Sequence, residues 1–288
     1  MKNSGFTLIE MSIVLVVIGL VVGSILVGQD LISTSAQSAQ ISQISRYNTA
    51  VIQFQGKYNG YLPGDIPDPA ASQFGFLARG QYVGEGDGDG EIAANNGNCA
   101  GCIRPSGCAG EVGVFWIDLA TAGLIEGNFT GATSTSTTCN ASTASTIANF
   151  LPAAKIGNGN FVYVWTDDNN TRTNFFGLSA VTQISYNTMH SAKTLTVQQA
   201  YNIDKKIDDG FPTTGQVIAC DINSGFYYWT ETPTWATCYT STWTAHAGSS
   251  TTCMDNGNVN GGTVQYSLTQ NNGNGQNCAL SFQFQSAH

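Results

Sequence analysis

The chain has 288 residues, 42% of them hydrophobic but only 10% charged, with a formal net charge of −9. That length and apolar share support one large domain or two small ones with a buried core, and argue against wholesale disorder. Ten basic against nineteen acidic residues argue against a nucleic-acid-binding surface, three histidines (His190, His246, His288) leave little for acid–base or metal chemistry, and eight cysteines point to an oxidising compartment.

Residues 1–5, Met-Lys-Asn-Ser-Gly, make a short basic start, followed by Phe6-Thr7-Leu8-Ile9-Glu10. From Met11 to Gln29 no residue is charged. As a helix this run spans about 28 Å, close to the thickness of a bilayer core. Gly19, Gly23 and Gly28 fall within it and are tolerated in membrane helices. Lys2 precedes the run and the next basic residue is Arg46, which keeps the N-terminus cytoplasmic. Beyond Asp30, Leu31, Ala39, Ile41, Ile44, Tyr47, Val51, Ile52 and Phe54 recur at three- and four-residue steps. One helix of roughly fifty residues is therefore expected, apolar all round in its first half and amphipathic in its second, ending near Gly56, Gly60 or Pro63. Glu10 sits at the edge of the apolar span, where a carboxylate is costly and calls for a partner. Three blander readings compete: a secretory signal cut near Ser35 to Ala39, a plain membrane anchor with Glu10 at the interface, and a core helix. The run is long for a signal, and helical patterning continues past any such cut.

Ser4-Gly5-Phe6-Thr7-Leu8-Ile9-Glu10, followed by an uncharged span, resembles the N-terminus of type IV prepilins, shared by pilins and type II secretion pseudopilins. The resemblance implies that a dedicated membrane peptidase cuts after Gly5 and methylates the new N-terminal Phe6. It implies that Glu10 meets the N-terminal ammonium of a neighbouring subunit in a filament. Physics agrees, because both charges carry a large desolvation cost in apolar surroundings unless they pair. Val27 stands where many pilins have a proline, so melting of the helix in a filament would fall to Gly19, Gly23 and Gly28. The implied organisation is a leader of residues 1–5, a transmembrane and assembly helix of residues 6–56, and a globular periplasmic or extracellular domain of residues 57–288. The implied partners are other subunits, the peptidase and methylase, and the inner membrane, with no catalysis and no organic cofactor in this chain.

The remainder reads as a polar α+β domain. Residues 57–110 are loop-rich. Tyr61-Leu62-Pro63-Gly64-Asp65-Ile66-Pro67-Asp68 is turn chemistry, and it resembles a Leu-Pro-Gly-Asp segment of a subgroup of large pilin-like proteins. Residues 111–122 predict a short helix with Val112, Phe115, Trp116 and Leu119 on one face and Gly123 as its stop. Residues 127–149, rich in Thr, Ser and Ala, predict an exposed loop. Phe161 to Thr166 and Asn174 to Val181 predict strands joined by Asp167-Asp168-Asn169-Asn170. Thr196 and Gln199 form a capping-box pattern ahead of a helix whose apolar stripe is Ala200, Ile203 and Ile207, ended by Gly210 and Pro212. Residues 200–210 also resemble the same subgroup. Strands are expected at 216–222, 226–231, 264–270 and 279–285. The order, a long helix first and an antiparallel sheet last, is that of a pilin fold, α+β with long disulfide-bonded loops, and the Ile41 to Phe54 face is expected to pack on the sheet.

Two constellations carry possible chemistry. Glu85-Gly86-Asp87-Gly88-Asp89-Gly90-Glu91-Ile92 is close to an EF-type calcium loop, with carboxylates at positions one, three and five, Gly90 at the sharp turn, the Glu91 carbonyl next and apolar Ile92 eighth. It departs from the pattern at Glu85, at Ala93 and at Asn96, which stands in the twelfth position. Glu111 or Asn95 are candidates to complete the shell from outside, so Glu85, Asp87, Asp89, Glu91 and Glu111 are the candidate Ca²⁺ ligands. The alternative is a flexible acidic glycine loop. Cys99-x-x-Cys102 with Cys108 could hold zinc with Cys139, but an exported chain favours disulfides. The expected pairs are Cys220–Cys238 and Cys253–Cys278, with Cys99, Cys102, Cys108 and Cys139 pairing among themselves. Asp204, Asp208 and Asp209 are expected on a solvated helix face and end; Asp208 and Asp209 lie near its negative pole, so a cation or a neighbouring basic group is the alternative. Tyr227, Tyr228, Trp229, Trp235 and Trp243 are half-buried sheet aromatics or a sugar-binding patch. No Ser/His/Asp or Cys/His set, Walker loop or dinucleotide fingerprint appears. Two other functional classes stay open: a membrane-anchored, lectin-like adhesin, and an exported hydrolase.

Overall fold

The computed structural model describes residues 7–79, 86–92, 110–130, 140–166, 173–185, 189–222, 247–250 and 252–286. α1 (Leu8–Lys57) is one uninterrupted helix of 50 residues. No proline falls within it, and it ends where Asn59 and Gly60 take positive φ and the Gly60 N–H reaches back to the Gln55 carbonyl. It is the one helix among the described residues long and apolar enough to cross a membrane, and its most apolar stretch is not buried at all. The second half is buried along Gln37, Gln40, Gln43, Ile44, Tyr47, Ala50, Val51 and Phe54. Ile52 and Leu31, expected on this stripe, are instead 65% and 66% exposed. Ile52 lies about 100° around the helix from Val51, and the stripe already has Val51 as its contact there.

The upper rungs of the stripe are glutamines rather than aliphatics. Gln43 accepts the Lys155 N–H at 2.9 Å and donates to the Ala153 carbonyl at 2.9 Å, while Gln40 accepts the Ile156 N–H at 3.1 Å. The Gln43 amide uses both donor and acceptor to close the backbone of an adjoining loop, and Gln40 supplies an acceptor, where an aliphatic residue would leave buried backbone groups unpaired.

β3 (Thr173–Ser185) is the spine of an antiparallel sheet. Its first half lies between β2 (Phe161–Thr166) and β8 (Cys278–Ser286), and its second half between β1 (Asn140–Ala141) and β4 (Met189–Ala192). β5 (Val217–Asp221) pairs with the other edge of β8, and β6 (Met254–Asp255) with β7 (Gln265–Tyr266) in a separate ribbon. Gly177 of β3 allows the Tyr163 ring to lie against the sheet, since a Cβ there would sit 2.0 Å from the ring. α3 (Gly110–Thr121) and α5 (Val197–Ile207) pack on α1. Trp116 of α3 meets Tyr47 edge-on at 4.9 Å, and Tyr47 reaches Phe176 of β3 at 6.0 Å, so α1 joins the sheet through an aromatic seam rather than by lying flat on it. α5 begins with the expected Thr196–Gln199 capping box.

The described parts of 127–149, residues 127–130 and 140–149, depart from the exposed loop expected of them. Within this stretch β1 pairs with β3, α4 (Ala144–Ile147) is capped by Thr143, and Phe129 and Ile147 are buried. Two isolated apolar residues suffice to pin a polar segment that composition alone marks as solvent-exposed. α2 (Ala70–Gln73) is a single turn that the sequence pattern did not show. The expected strand at 264–270 shrinks to β7, because Ser267 turns its hydroxyl to Asp255 and Leu268 bonds back to Tyr266. Cys253 and Cys278 form the expected disulfide, joining the residue before β6 to the start of β8. Cys220 is also disulfide-bonded. The expected strand at 226–231, the turn at Asp167 to Asn170, Cys99, Cys102, Cys108, Cys139, Cys238, and the aromatics Tyr227, Tyr228, Trp229, Trp235 and Trp243 lie outside the described residues.

Phe54 is fully buried against Tyr58 and Phe76. Phe54→Ala is expected to destabilise the detergent-solubilised protein by about 3–5 kcal/mol, and Ile52→Ala by under about 0.5 kcal/mol. Denaturant melts of the two variants beside the parent check this.

Candidate functional site

Two regions hold the candidate residues. The first is the start of α1. Gly5 and Phe6 lie outside the described residues. One carboxylate oxygen of Glu10 accepts both the Thr7 N–H at 2.7 Å and the Thr7 hydroxyl at 2.8 Å, and the Glu10 N–H donates to the Thr7 hydroxyl at 3.3 Å. This reciprocal capping box fixes the helix start and places the carboxylate at the positive pole of the helix dipole. Leu8 and Ile9 around it are exposed. The arrangement is an anionic group on an apolar, uncovered helix end, suited to a cation delivered in apolar surroundings. Sequence reading found Glu10 but not the Thr7 cap that orients it.

The second region is built by the turn at 61–68, the acidic loop and the N-terminus of α3. Gly64 has φ +89°, and a Cβ on it would lie 2.5 Å from the Glu111 carbonyl oxygen, so only glycine lets the turn close on α3. The turn then carries Asp65 inward, where its two oxygens accept the Gly88 N–H at 2.7 Å and the Gly90 N–H at 3.1 Å. Fully buried Glu111 accepts the Gly86 N–H at 3.0 Å and the Asp87 N–H at 3.4 Å. Two carboxylates from outside thus hold the backbone of residues 86–90. Below them Asp118 pairs with Arg79 at 2.6 Å and accepts the Gly64 N–H at 2.7 Å, with both side chains of the ion pair fully buried.

Carboxylate oxygens of Asp65, Asp87 and Glu111 lie within 4.8 Å of one another. The structure therefore brings together Asp87 and Glu111 of the sequence candidates and adds Asp65, which the sequence reading left as a turn residue. Asp89 does not join the group; its carboxylate accepts the Glu91 N–H at 2.8 Å. Glu91 is buried beside the loop, and Glu85 lies outside the described residues. Burial pushes the Asp65 carboxyl from 3.8 up to about 7, with the charges of Asp89 and Asp87 adding to it against the Gly88 and Gly90 N–H groups. Burial likewise raises Asp87, followed by the charge of Asp89. Three hard oxygen donors in this state suit a hard divalent cation such as Ca²⁺, which takes six to eight oxygens.

Asp204 differs from the solvated face expected of it, whereas Asp208 caps the helix end and Asp209 is exposed beyond it. Asp204 is fully buried and accepts the Tyr266 hydroxyl at 2.7 Å and the Gly210 N–H at 3.0 Å. Burial pushes its carboxyl up to about 7, helped by the charges of Asp209 and Asp208. Asp208 and Asp209 are bound to the following loop, Asp208 through the Gln216 and Val217 N–H groups and Asp209 through Phe211 and Thr214. These carboxylates close a turn. The negative end of a helix tolerates them because backbone donors face them.

Residues 1–26 match the prokaryotic N-terminal methylation motif, the signature of type IV pilins and pseudopilins. That motif is the mark of a processed, exported protein of pilin-like or pseudopilin type, and the apolar α1 fits membrane anchoring before assembly. No curated protein and no solved structure matches the chain.

Both Asp65 and Asp204 have folded-state values above the unfolded 3.8. Each holds its proton more tightly when folded, so each contributes stability at low pH that is lost as pH rises from about 4 to about 7. With chelator present, the melting temperature is expected to fall across that window. Asp204→Asn is expected to flatten part of the fall, and millimolar Ca²⁺ to flatten the Asp65 part. Melts identical with Ca²⁺ and with chelator would show that the loop holds no cation.

Proposed function

We propose that this chain is a structural subunit of a type IV pilus-like or type II secretion pseudopilus filament, cut after Gly5 by prepilin peptidase and N-methylated on Phe6. The observation that carries this is the methylation motif lying in register with a continuous apolar helix, so that the cut leaves Phe6 four residues before Glu10. In the membrane, lipid covers the uncharged stretch of the helix from Met11 to Gln29. In a filament, neighbouring helices take the place of lipid, and the Glu10 carboxylate receives the Phe6 ammonium of an adjacent subunit. The two charges neutralise each other where neither is solvated, which sets the axial step between subunits. The peptidase, the methylase and other subunits are the partners, and the globular domain faces the periplasm before assembly. The acidic loop adds a Ca²⁺ bound by buried Asp65 and Glu111 and exposed Asp87, which neutralises the two carboxylates the fold has buried.

Two variants separate this from a plain membrane anchor. Glu10→Ala removes both the cap and the charge, whereas Glu10→Gln keeps an acceptor for Thr7 and removes only the charge. Both are expected to leave the protein in the membrane and to abolish it from the sheared extracellular or periplasmic filament fraction. A sheared fraction unchanged by Glu10→Gln would overturn the filament reading.

A further inference from the structure

We propose that Asn128 is the acceptor of an N-linked glycan, added during export; the proposal rests on the exported reading above. The chain has three Asn-x-Ser/Thr triplets: Asn128-Phe129-Thr130, Asn140-Ala141-Ser142 and Asn169-Asn170-Thr171. A hydroxyl two residues after the asparagine is what this chemistry needs, because the amide nitrogen is a weak nucleophile and must be held and polarised. The triplets differ in their surroundings. Asn140 is committed to β1, paired with Ser185 of β3, and Asn169 lies outside the described residues. Asn128 sits in the stretch after α3 that forms neither helix nor strand.

Geometry there separates acceptor from anchor. Asn128 and Thr130 are exposed, while Phe129 between them is buried, its ring 6.3 Å from that of Trp116. Gly127 makes this possible: at φ +132° a Cβ would sit 2.8 Å from the Phe129 ring. The Thr130 N–H is fixed to the Asn149 carbonyl at 3.0 Å. A sugar on Asn128 therefore displaces no core atom. Phe129 must leave its site for the triplet to enter a transferase, so transfer precedes docking of this loop. In the transfer the Asn128 amide nitrogen bonds to C1 of a sugar carried on a lipid pyrophosphate. The C1–O bond to the pyrophosphate breaks, the lipid pyrophosphate leaves with the electron pair, and one amide proton passes to a base of the transferase. Nothing is oxidised or reduced. The product is a bulky neutral or acidic group on a surface that carries few charges.

The test is mass spectrometry of the full-length protein purified from its own cells, digested and mapped for glycan-bearing peptides, with the mature N-terminus read in the same sample. A glycan mass on Asn128 is expected, lost in Asn128→Gln and in Thr130→Ala and retained in Thr130→Ser. Unmodified Asn128 in protein that starts at Phe6 overturns the proposal and leaves the filament reading standing. A glycan confined to Asn140 or Asn169 overturns it as well. A sample that starts elsewhere than Phe6 removes the exported, processed premise on which it stands.

Discussion

From Leu8 to Lys57 one helix passes from a stretch with no protein neighbours into the centre of a folded domain, and the rest of the molecule is arranged around that passage. The two halves must meet different environments with the same backbone. In the first half every turn is apolar, so no face is reserved for the domain. In the second half a stripe of Tyr47, Val51 and Phe54 is claimed by α3, α5 and the sheet. No proline interrupts the helix, so its backbone hydrogen-bond ladder runs unbroken from one environment into the other. The Thr7–Glu10 cap fixes one end, and the glutamine rungs at 40 and 43 begin the grip of the domain on the other.

The acidic loop shows how buried charge is accommodated away from that helix. Asp65, Glu111 and Asp118 are all taken out of water, and each is met by backbone N–H groups or, for Asp118, by Arg79. Backbone donors reduce the cost of burial without cancelling the charge, which is why Asp65 holds its proton to about pH 7. Carboxylate oxygens of Asp65, Asp87 and Glu111 this close together are an unfavourable arrangement on their own and a favourable one around a divalent cation. Asp204 reaches the same raised value with its oxygens on the Tyr266 hydroxyl and the Gly210 N–H, and carboxylate oxygens of Asp204, Asp208 and Asp209 likewise lie within 4.8 Å of one another.

Much of the fold was legible because its signals are periodic. The uncharged run and the three- and four-residue steps gave α1 to within a residue or two at its ends, and the capping pair at Thr196 and Gln199 marked α5. β2 and the core of β3 showed as dense β-branched and aromatic runs. What stayed hidden depends on contacts rather than on pattern. Gln40 and Gln43 carry no apolar signal, yet they are buried because a distant loop presents its backbone to them. Asp65 reads as a turn residue, and only the approach of Gly64 to α3 turns it towards Glu111. The 127–149 segment reads as solvent-exposed because Phe129 and Ile147, which pin it, are isolated in a Thr/Ser/Ala background. Glu10 was legible, since a lone carboxylate at the edge of an apolar span is conspicuous; Thr7 was not, since threonine is common.

The mature N-terminus is the quantity on which the account turns. Intact-mass and N-terminal peptide measurements on both the membrane fraction and the sheared filament fraction read it directly. The account predicts a chain beginning at N-methylated Phe6 in both. A chain beginning near Ala36 to Gln40, or an intact Met1 found in membranes alone, would contradict it.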